Sequence, residues 1–129
     1  MIEERYCSSE VSRLLREKGF DEACTRLYYN DDLEFVNDNV YGHVLRNSSI
    51  ANKDFITAPT HQMACDWLRE VHKIFIEISV SIDLNGDYHY RYSVLNKDCK
   101  YARKGYTSFD WNYTDAVEEA LKYSLENLV

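Results

Sequence analysis

Hydrophobic and polar residues alternate strictly in two runs that flank an Asn-Gly pair in the second half of the chain. The apolar members of the first run are Ile76, Ile78, Val80, Ile82 and Leu84, and those of the second are Tyr88, Tyr90, Tyr92 and Val94. A period of two is typical of half-buried β-strands, and Asn-Gly between two such runs indicates a hairpin. The pattern therefore predicts a β-hairpin over residues 76–94.

The faces of these two strands decide the length of the hairpin loop. A two-residue loop would set Ile82 opposite His89, apolar against polar, although opposed residues share a face. A three-residue loop, with a type I turn that begins at Asp83 and a left-handed Gly86 in a bulge, sets Ile82 opposite Tyr88 instead. We expect the longer loop. It places three tyrosines on the apolar face as core beneath the helices: Tyr88, Tyr90 and Tyr92. Any binding surface on these strands is then expected on the other face, that of Ser79, Ser81, Arg91 and Ser93.

Three amphipathic helices are predicted, at residues 8–18, 59–73 and 115–127. Ser8 or Ser9 suits the N-cap of the first helix, and an earlier start near Glu3 is the alternative. Thr114 suits the N-cap of the third helix, and Pro59 suits the first position of the second. Gly19 with Phe20 suits a Schellman stop after the first helix. The second helix has the clearest pattern, because its apolar side chains fall within an arc of about 140°.

The patterns between the first and second helices are weaker. Residues 26–29 and 33–36 suit a second hairpin around an Asn-Asp-Asp turn. Residues 37–57 are polar and aperiodic, so this segment is either mobile or contains a short strand near Phe55. Another short strand is predicted near 106–109.

These elements predict a single α+β domain over residues 1–129. Hairpins make the sheet largely antiparallel, and the hairpin 76–94 is expected at its centre. Three helices that each carry one apolar face need a surface to cover, so we expect all three to pack on one face of the sheet.

Composition agrees with a folded globular domain and narrows its setting. Of 129 residues, 45% are hydrophobic and 29% charged, both typical of globular proteins. The apolar runs are shorter than a membrane span, and the charged N-terminus lacks the apolar stretch of a signal peptide. We therefore expect a cytoplasmic protein that does not bind membranes. Its four scattered cysteines are expected to be reduced thiols, without a metal or other cofactor.

A thiol and two imidazoles fall on one side of the second predicted helix: His61, Cys65 and His72. A thiol four residues from an imidazole can form an activated nucleophile or part of a metal site. These residues lie at the edge of the apolar arc, however, where Cys packs as a small hydrophobe. His61 and His72 are also about 16 Å apart along the helix axis, too far to share one metal. We therefore predict no catalytic residue and no metal site.

One cluster in the chain interleaves basic residues with tyrosines: Lys97, Lys100, Tyr101, Arg103, Lys104 and Tyr106. Tyrosines beside a basic groove are a common way to bind single-stranded nucleic acid. The net charge of −7 disfavours general nucleic-acid binding, because phosphate contacts need surplus Lys and Arg. A solvated connection between the hairpin and the third helix is the simpler interpretation, and a nucleic-acid site is the alternative.

Three segments carry a resemblance to known proteins. They are SEV at 9–11 with LLREKGF at 14–20, APT at 58–60 with MA at 63–64 and WLRE at 67–70, and DAVEEALKY at 115–123 with LENL at 125–128. These segments resemble small uncharacterised proteins of prophages and mobile elements in Bacteroides-type gut bacteria. The resemblance implies an accessory role in a bacterial cytoplasm and no enzyme class.

Three functions remain as hypotheses. The leading one is a non-enzymatic protein-interaction module, with a homodimer among the expected assemblies, because catalytic motifs are missing and an uncovered strand edge can pair with another copy. The second is a single-stranded nucleic-acid-binding accessory protein that uses the 97–106 cluster or the strand face that carries Arg91. The third is a small thiol enzyme that uses Cys65 with His61.

Overall fold

A computed structural model describes residues 2–35, 44–107 and 112–129. In chain order its elements are helix α1 (Ser9–Glu17), strands β1 (Arg26–Tyr29) and β2 (Asp32–Phe35), a 3-10 helix (Asn47–Ser49), strand β3 (Phe55–Thr57), helix α2 (His61–His72), strands β4 (Phe75–Ile82), β5 (Tyr88–Leu95) and β6 (Tyr101–Thr107), and helix α3 (Tyr113–Asn127). The strands form two antiparallel sheets, in the orders β2-β1-β3 and β4-β5-β6. The predicted α+β class is confirmed.

The chain divides into two compact units, residues 1–64 and 65–129. The first unit holds α1 and the sheet β2-β1-β3, and the second holds α3 and the sheet β4-β5-β6. The predicted packing of three helices on one face of a single sheet is not confirmed, because α1 contacts β3 of one sheet whereas α3 contacts β4 and β5 of the other. The single domain stays a prediction.

Of the two predicted starts of helix α1, the structure has the one at Ser8 and Ser9 rather than the one near Glu3, and the helix ends as predicted. The Ser8 hydroxyl accepts a hydrogen bond from the Val11 amide at 3.1 Å, which caps the helix. Gly19 follows with a φ of +94°, and the Phe20 amide donates to the Leu15 carbonyl at 2.9 Å. The backbone bonds are those of the expected Schellman stop, and Leu15 and Phe20 are both buried.

The weak hairpin in the first unit is confirmed. Strands β1 and β2 pair with Tyr29 opposite Asp32, and Asn30 and Asp31 between them have positive φ angles. The short strand near Phe55 is also confirmed, as β3. The 3-10 helix at Asn47–Ser49 was not predicted, and residues 37–43 lie outside the described residues. The strand predicted near 106–109 overlaps the end of β6, and residues 108–109 are likewise outside them.

Two helix starts differ from those predicted. Helix α2 begins at His61 rather than at Pro59, and the Thr60 hydroxyl accepts from the Met63 amide at 3.1 Å. Helix α3 begins at Tyr113, and its N-cap is Asn112 rather than Thr114. The Asn112 side chain accepts from the Asp115 amide at 2.8 Å while the Asp115 carboxylate accepts from the Asn112 amide at 3.2 Å. This reciprocal capping box satisfies two amides at once, which a single Thr cap does not.

The hairpin β4–β5 has the predicted register. Ile82 pairs with Tyr88, and the matching of apolar residues continues down to Ile76 opposite Val94. The longer loop is confirmed as well. The Asp83 amide donates to the Asp87 carbonyl at 3.0 Å, and the Gly86 amide donates to the Asp83 carbonyl at 3.1 Å. Gly86 has a φ of +84°, the left-handed conformation that a G1 bulge needs.

Candidate interaction surface

The apolar face of the hairpin β4–β5 is buried at one end only. Tyr92 is 2% exposed, whereas Tyr88 is 61% exposed. Tyr90 between them is half-buried, and its ring meets that of Tyr113 edge-on at 5.9 Å between centroids. The prediction that all three tyrosines are core is therefore right for Tyr92 and wrong for Tyr88. Tyr113 is the first residue of α3 and contacts Tyr90, so this contact lies one cross-strand pair before the pair of Ile82 and Tyr88.

The uncovered end of this face forms an exposed apolar surface, which we name the hairpin-tip patch. Its members and their exposed fractions are Val80 at 52%, Ile82 at 61%, Leu84 at 106% and Tyr88 at 61%. Ile82 and Tyr88 are directly opposed across the two strands, and Leu84 is in the loop beside them. Contiguous exposed apolar side chains commonly mark a contact surface for another molecule.

The loop beside the patch is held by one carboxylate. Asp83 Oδ1 accepts from the amides of Asn85 at 2.8 Å and Asp87 at 3.0 Å, and Asp83 Oδ2 lies 2.8 Å from His89 Nε2. The hydrogen bond with His89, followed by the bond from the Asp87 amide, lowers the pKa of the Asp83 carboxyl. Side chain and backbone together therefore define the loop conformation that presents Leu84.

The outer edge of β4 is open within the described residues, because only β5 pairs with β4 there. Opposed residues of an antiparallel pair alternate between those that exchange backbone hydrogen bonds and those that do not. The hydrogen bond from the Asp83 amide to the Asp87 carbonyl makes these two residues a bonded pair. Every second residue before Asp83 therefore also bonds towards β5: Ser81, Ser79 and Glu77. The residues between them direct their amides and carbonyls to the outer edge: Ile76, Ile78, Val80 and Ile82.

The opposite edge of the same sheet, β6, has a different character. Its pairing with β5 shifts register twice, between Tyr92 and Val94 and between Val94 and Leu95. Gly105 has a φ of +63°, and its amide donates to the Ser93 hydroxyl at 3.1 Å. Bulges and basic side chains are devices that keep a strand edge from pairing with another chain. Strand β6 has both, whereas β4 is regular over its eight residues.

The predicted basic cluster does not form one surface. Arg103 lies opposite Val94 and Tyr106 lies opposite Tyr92, so both share the face that α3 contacts. The Arg103 guanidinium is 4.0 Å from the ring centroid of Tyr106 and 5.1 Å from that of Tyr123 on α3.

The remaining members of the cluster are placed elsewhere. Tyr101 lies opposite Leu95, which belongs to the other face of the sheet, and Lys104 Nζ is 5.1 Å from the Tyr101 ring centroid. Lys97 and Lys100 are exposed in the turn before β6. A single strand of nucleic acid would therefore meet only part of the cluster on either face.

The side chains proposed for thiol chemistry are in packed surroundings. Burial raises the pKa of the Cys65 thiol to about 11, and the charge of Asp66 acts in the same direction. Such a thiol is protonated at neutral pH, and the thiolate is the nucleophile. His61 is buried, and the His72 ring packs edge-on against Trp67 at 4.6 Å between centroids. Within residues 2–35, 44–107 and 112–129, no three His, Cys, Asp or Glu side chains are grouped as metal ligands.

Comparisons of the chain with protein-family models, with curated proteins and with solved structures find no match. None of the described helices combines the length and the apolar content that crossing a bilayer requires. Function is therefore inferred from the geometry of the described residues.

Proposed function

We propose that this protein is a non-enzymatic protein-interaction module and that the hairpin-tip patch contacts its partner. The observation that carries the proposal is the joint exposure of Val80, Ile82, Leu84 and Tyr88. Covering apolar surface contributes about 25 cal/mol per Å² removed from water. A partner that covered these four side chains would therefore gain binding free energy that the isolated chain does not use.

The loop geometry supports the same proposal. Three hydrogen bonds to the Asp83 carboxylate hold the turn beside the patch. A surface that already has its bound conformation loses less conformational entropy when a partner docks.

The chemistry of Cys65 supports a role other than thiol catalysis. A pKa of about 11 leaves a very small thiolate fraction at neutral pH, and burial also limits access of a substrate. We therefore assign Cys65 to packing in α2. The resemblance of the helical segments to mobile-element proteins sets the proposal in a phage or mobile-element accessory protein of a bacterial cytoplasm.

A single-stranded nucleic-acid site is the second candidate, supported by the exposed Tyr101 with Lys104 near its ring. Changing Lys100, Arg103 and Lys104 to Glu tests it. Salt-dependent retention of single-stranded DNA or RNA that these changes abolish would favour this function. Wild-type protein that retains neither at low salt would end it.

Affinity capture with matched variants tests the leading proposal. The double variant Ile82→Thr with Tyr88→Thr removes the centre of the patch. The control Tyr101→Thr removes another exposed tyrosine ring, from the opposite face of the sheet. We expect wild type and Tyr101→Thr to retain the same partner protein, and the double variant to lose it. Wild-type protein that binds neither another protein nor itself would contradict the proposal.

A further inference from the structure

The open edge of β4, which includes Val80 and Ile82 of the hairpin-tip patch, indicates the partner. We propose that a second copy of this chain binds there, through antiparallel pairing of β4 with β4 of the second copy about a two-fold axis at Ser79. This inference rests on the proposed function and specifies its partner.

Backbone geometry supports this pairing. The residues of β4 whose amides and carbonyls point to the outer edge are Ile76, Ile78, Val80 and Ile82. With the axis at Ser79, Ile76 opposes Ile82 of the second copy, and Ile78 opposes Val80 of the second copy. All four outward residues of each copy then exchange hydrogen bonds, because they meet as bonded pairs of an antiparallel ladder. An axis at Ile78 would leave Ile82 without a bonded partner in β4 of the second copy, because Ile82 would then oppose residue 74, before the start of that strand.

Side-chain chemistry favours the same register. Apolar residues of one copy oppose apolar residues of the other on one face, as cross-strand packing requires. Glu77 is the single charged residue of β4, and it opposes Ser81 of the second copy. An axis at Val80 would instead oppose Glu77 with Asp83 of the second copy, and directly opposed like charges are destabilising.

The antiparallel arrangement also brings the exposed part of one copy beside the better covered part of the other. Val80 and Ile82 are more than half exposed, whereas Ile76 and Ile78 are intermediate. In the pair, each exposed side chain gains one of these residues of the second copy as a neighbour. Pairing about a two-fold axis uses the open edge of both copies, so the assembly closes as a dimer.

Pairing of β4 with β6 of a second copy is disfavoured by the irregular geometry of β6. Strand β6 has two register shifts, which break the even spacing that a further ladder needs. The seven paired strand residues a side, 76–82, are fewer than the roughly 20–30 residues of a standard interface, so we expect an affinity in the micromolar range.

Light scattering after size exclusion tests the dimer with the whole chain. We expect the mass of two chains at high concentration and of one chain at low concentration, across about 1–200 µM. Val80→Pro should give one chain throughout, because the Val80 amide points to the open edge and no bond within the hairpin is lost. At protein concentrations too low for dimerisation, a thermal unfolding midpoint close to that of wild type would show that Val80→Pro keeps the hairpin intact. A wild type that stays monomeric, or a dimer that folded Val80→Pro leaves unchanged, would overturn the proposal.

Cysteine crosslinking tests the register. In a Cys99→Ser background, which removes the exposed natural thiol, Ser79→Cys places two thiols on the axis. A non-bonded pair has Cα atoms about 4.5 Å apart, within the range of a disulfide. Ser81→Cys is the matched control, because its two copies are four residues apart along the strands, about 13 Å. We expect mild oxidation to link Ser79→Cys into dimers at least tenfold more than Ser81→Cys. The reverse preference, or no link in either, would rule out this register.

The outcomes separate this inference from the proposed function. A monomeric protein that captures another protein through Ile82 and Tyr88 overturns the second-copy inference and leaves the interaction module in place. A monomer that captures nothing contradicts both.

Discussion

Two turns of the second unit have the same hydrogen-bond pattern built from different residues. In the β4–β5 turn the side chain of Asp83 accepts from two amides, two and four positions later. In the β5–β6 turn the side chain of Asn96 accepts from the amides of Asp98 at 3.0 Å and Lys100 at 3.2 Å. In both turns the first residue also accepts from the amide three positions later, that of Gly86 or of Cys99.

The turns differ in the residue at their fourth position, where the backbone of both turns is left-handed. Gly86 has a φ of +84° and Cys99 a φ of +58°. A Cβ in this conformation costs about 1–2 kcal/mol for an ordinary residue. The first turn could be predicted because Asn-Gly is a common left-handed signal, whereas Asn-Lys-Asp-Cys has none. The comparison shows that an Asx side chain with paired strands on both sides can hold this turn even where the residue at the bulge is unfavourable.

The largest expected loss of stability comes from replacing Gly86, the residue that suits the left-handed position of the first turn. Gly86→Ala should lower the free energy of unfolding by about 1–2 kcal/mol, because Ala keeps the φ of the turn only with strain. Chemical denaturation at one protein concentration measures the change. A neutral result would mean that the two turns do not differ in the way that their residues imply.

Removing the shared acceptor should have a somewhat smaller effect. Asn96→Ala leaves the amides of Asp98 and Lys100 without their side-chain acceptor, and solvent replaces it in part. We expect a loss of about 1 kcal/mol, since a typical hydrogen bond contributes about 0.5–1.5 kcal/mol. Asn96→Asp, which keeps the acceptor, is the control. If both variants unfold alike, the Asn96 side chain does not stabilise the turn.

Making the second turn resemble the first should stabilise the protein. Cys99→Gly relieves the left-handed strain but gives the unfolded chain more freedom, so the expected gain is about 0.5 kcal/mol. Cys99→Ala removes the thiol and keeps the Cβ, and therefore separates the backbone effect from the thiol. A gain in Cys99→Ala equal to that in Cys99→Gly would contradict this explanation.

The smallest expected effect is a difference in acid sensitivity. The folded pKa of Asp83 is lowered, first by His89 and then by the Asp87 amide. Its contribution is therefore present above the unfolded pKa, near 4, and is lost as the pH falls through the folded pKa. Asp83→Asn should make unfolding less dependent on pH below about 4. Asn96 does not ionise, so the Asn96→Ala variant should keep the wild-type pH dependence. Equal slopes in wild type and Asp83→Asn would show that Asp83 is not a source of that dependence.

Local patterns were enough to predict several elements. The Ser8 cap, the Gly19 stop and the register of Ile82 with Tyr88 depend on residues close in sequence. The start of α3 was not predicted, because the reciprocal bonds of Asn112 and Asp115 compete with a plausible cap at Thr114. The 3-10 helix was missed for a related reason. Asn47 bonds to the Phe20 carbonyl and the Thr57 amide, and these partners are distant in the chain.

For the candidate surface, the sequence alone determined which side chains share a face of the hairpin. Strand alternation and the turn that begins at Asp83 set Val80, Ile82 and Tyr88 on the side of Tyr92, because both are properties of neighbouring residues. Only the tertiary structure decided which of them are covered. Tyr92 is buried and Tyr88 exposed because burial depends on which rows a helix from residues 113–127 covers, and periodicity within the strands contains no information on that contact.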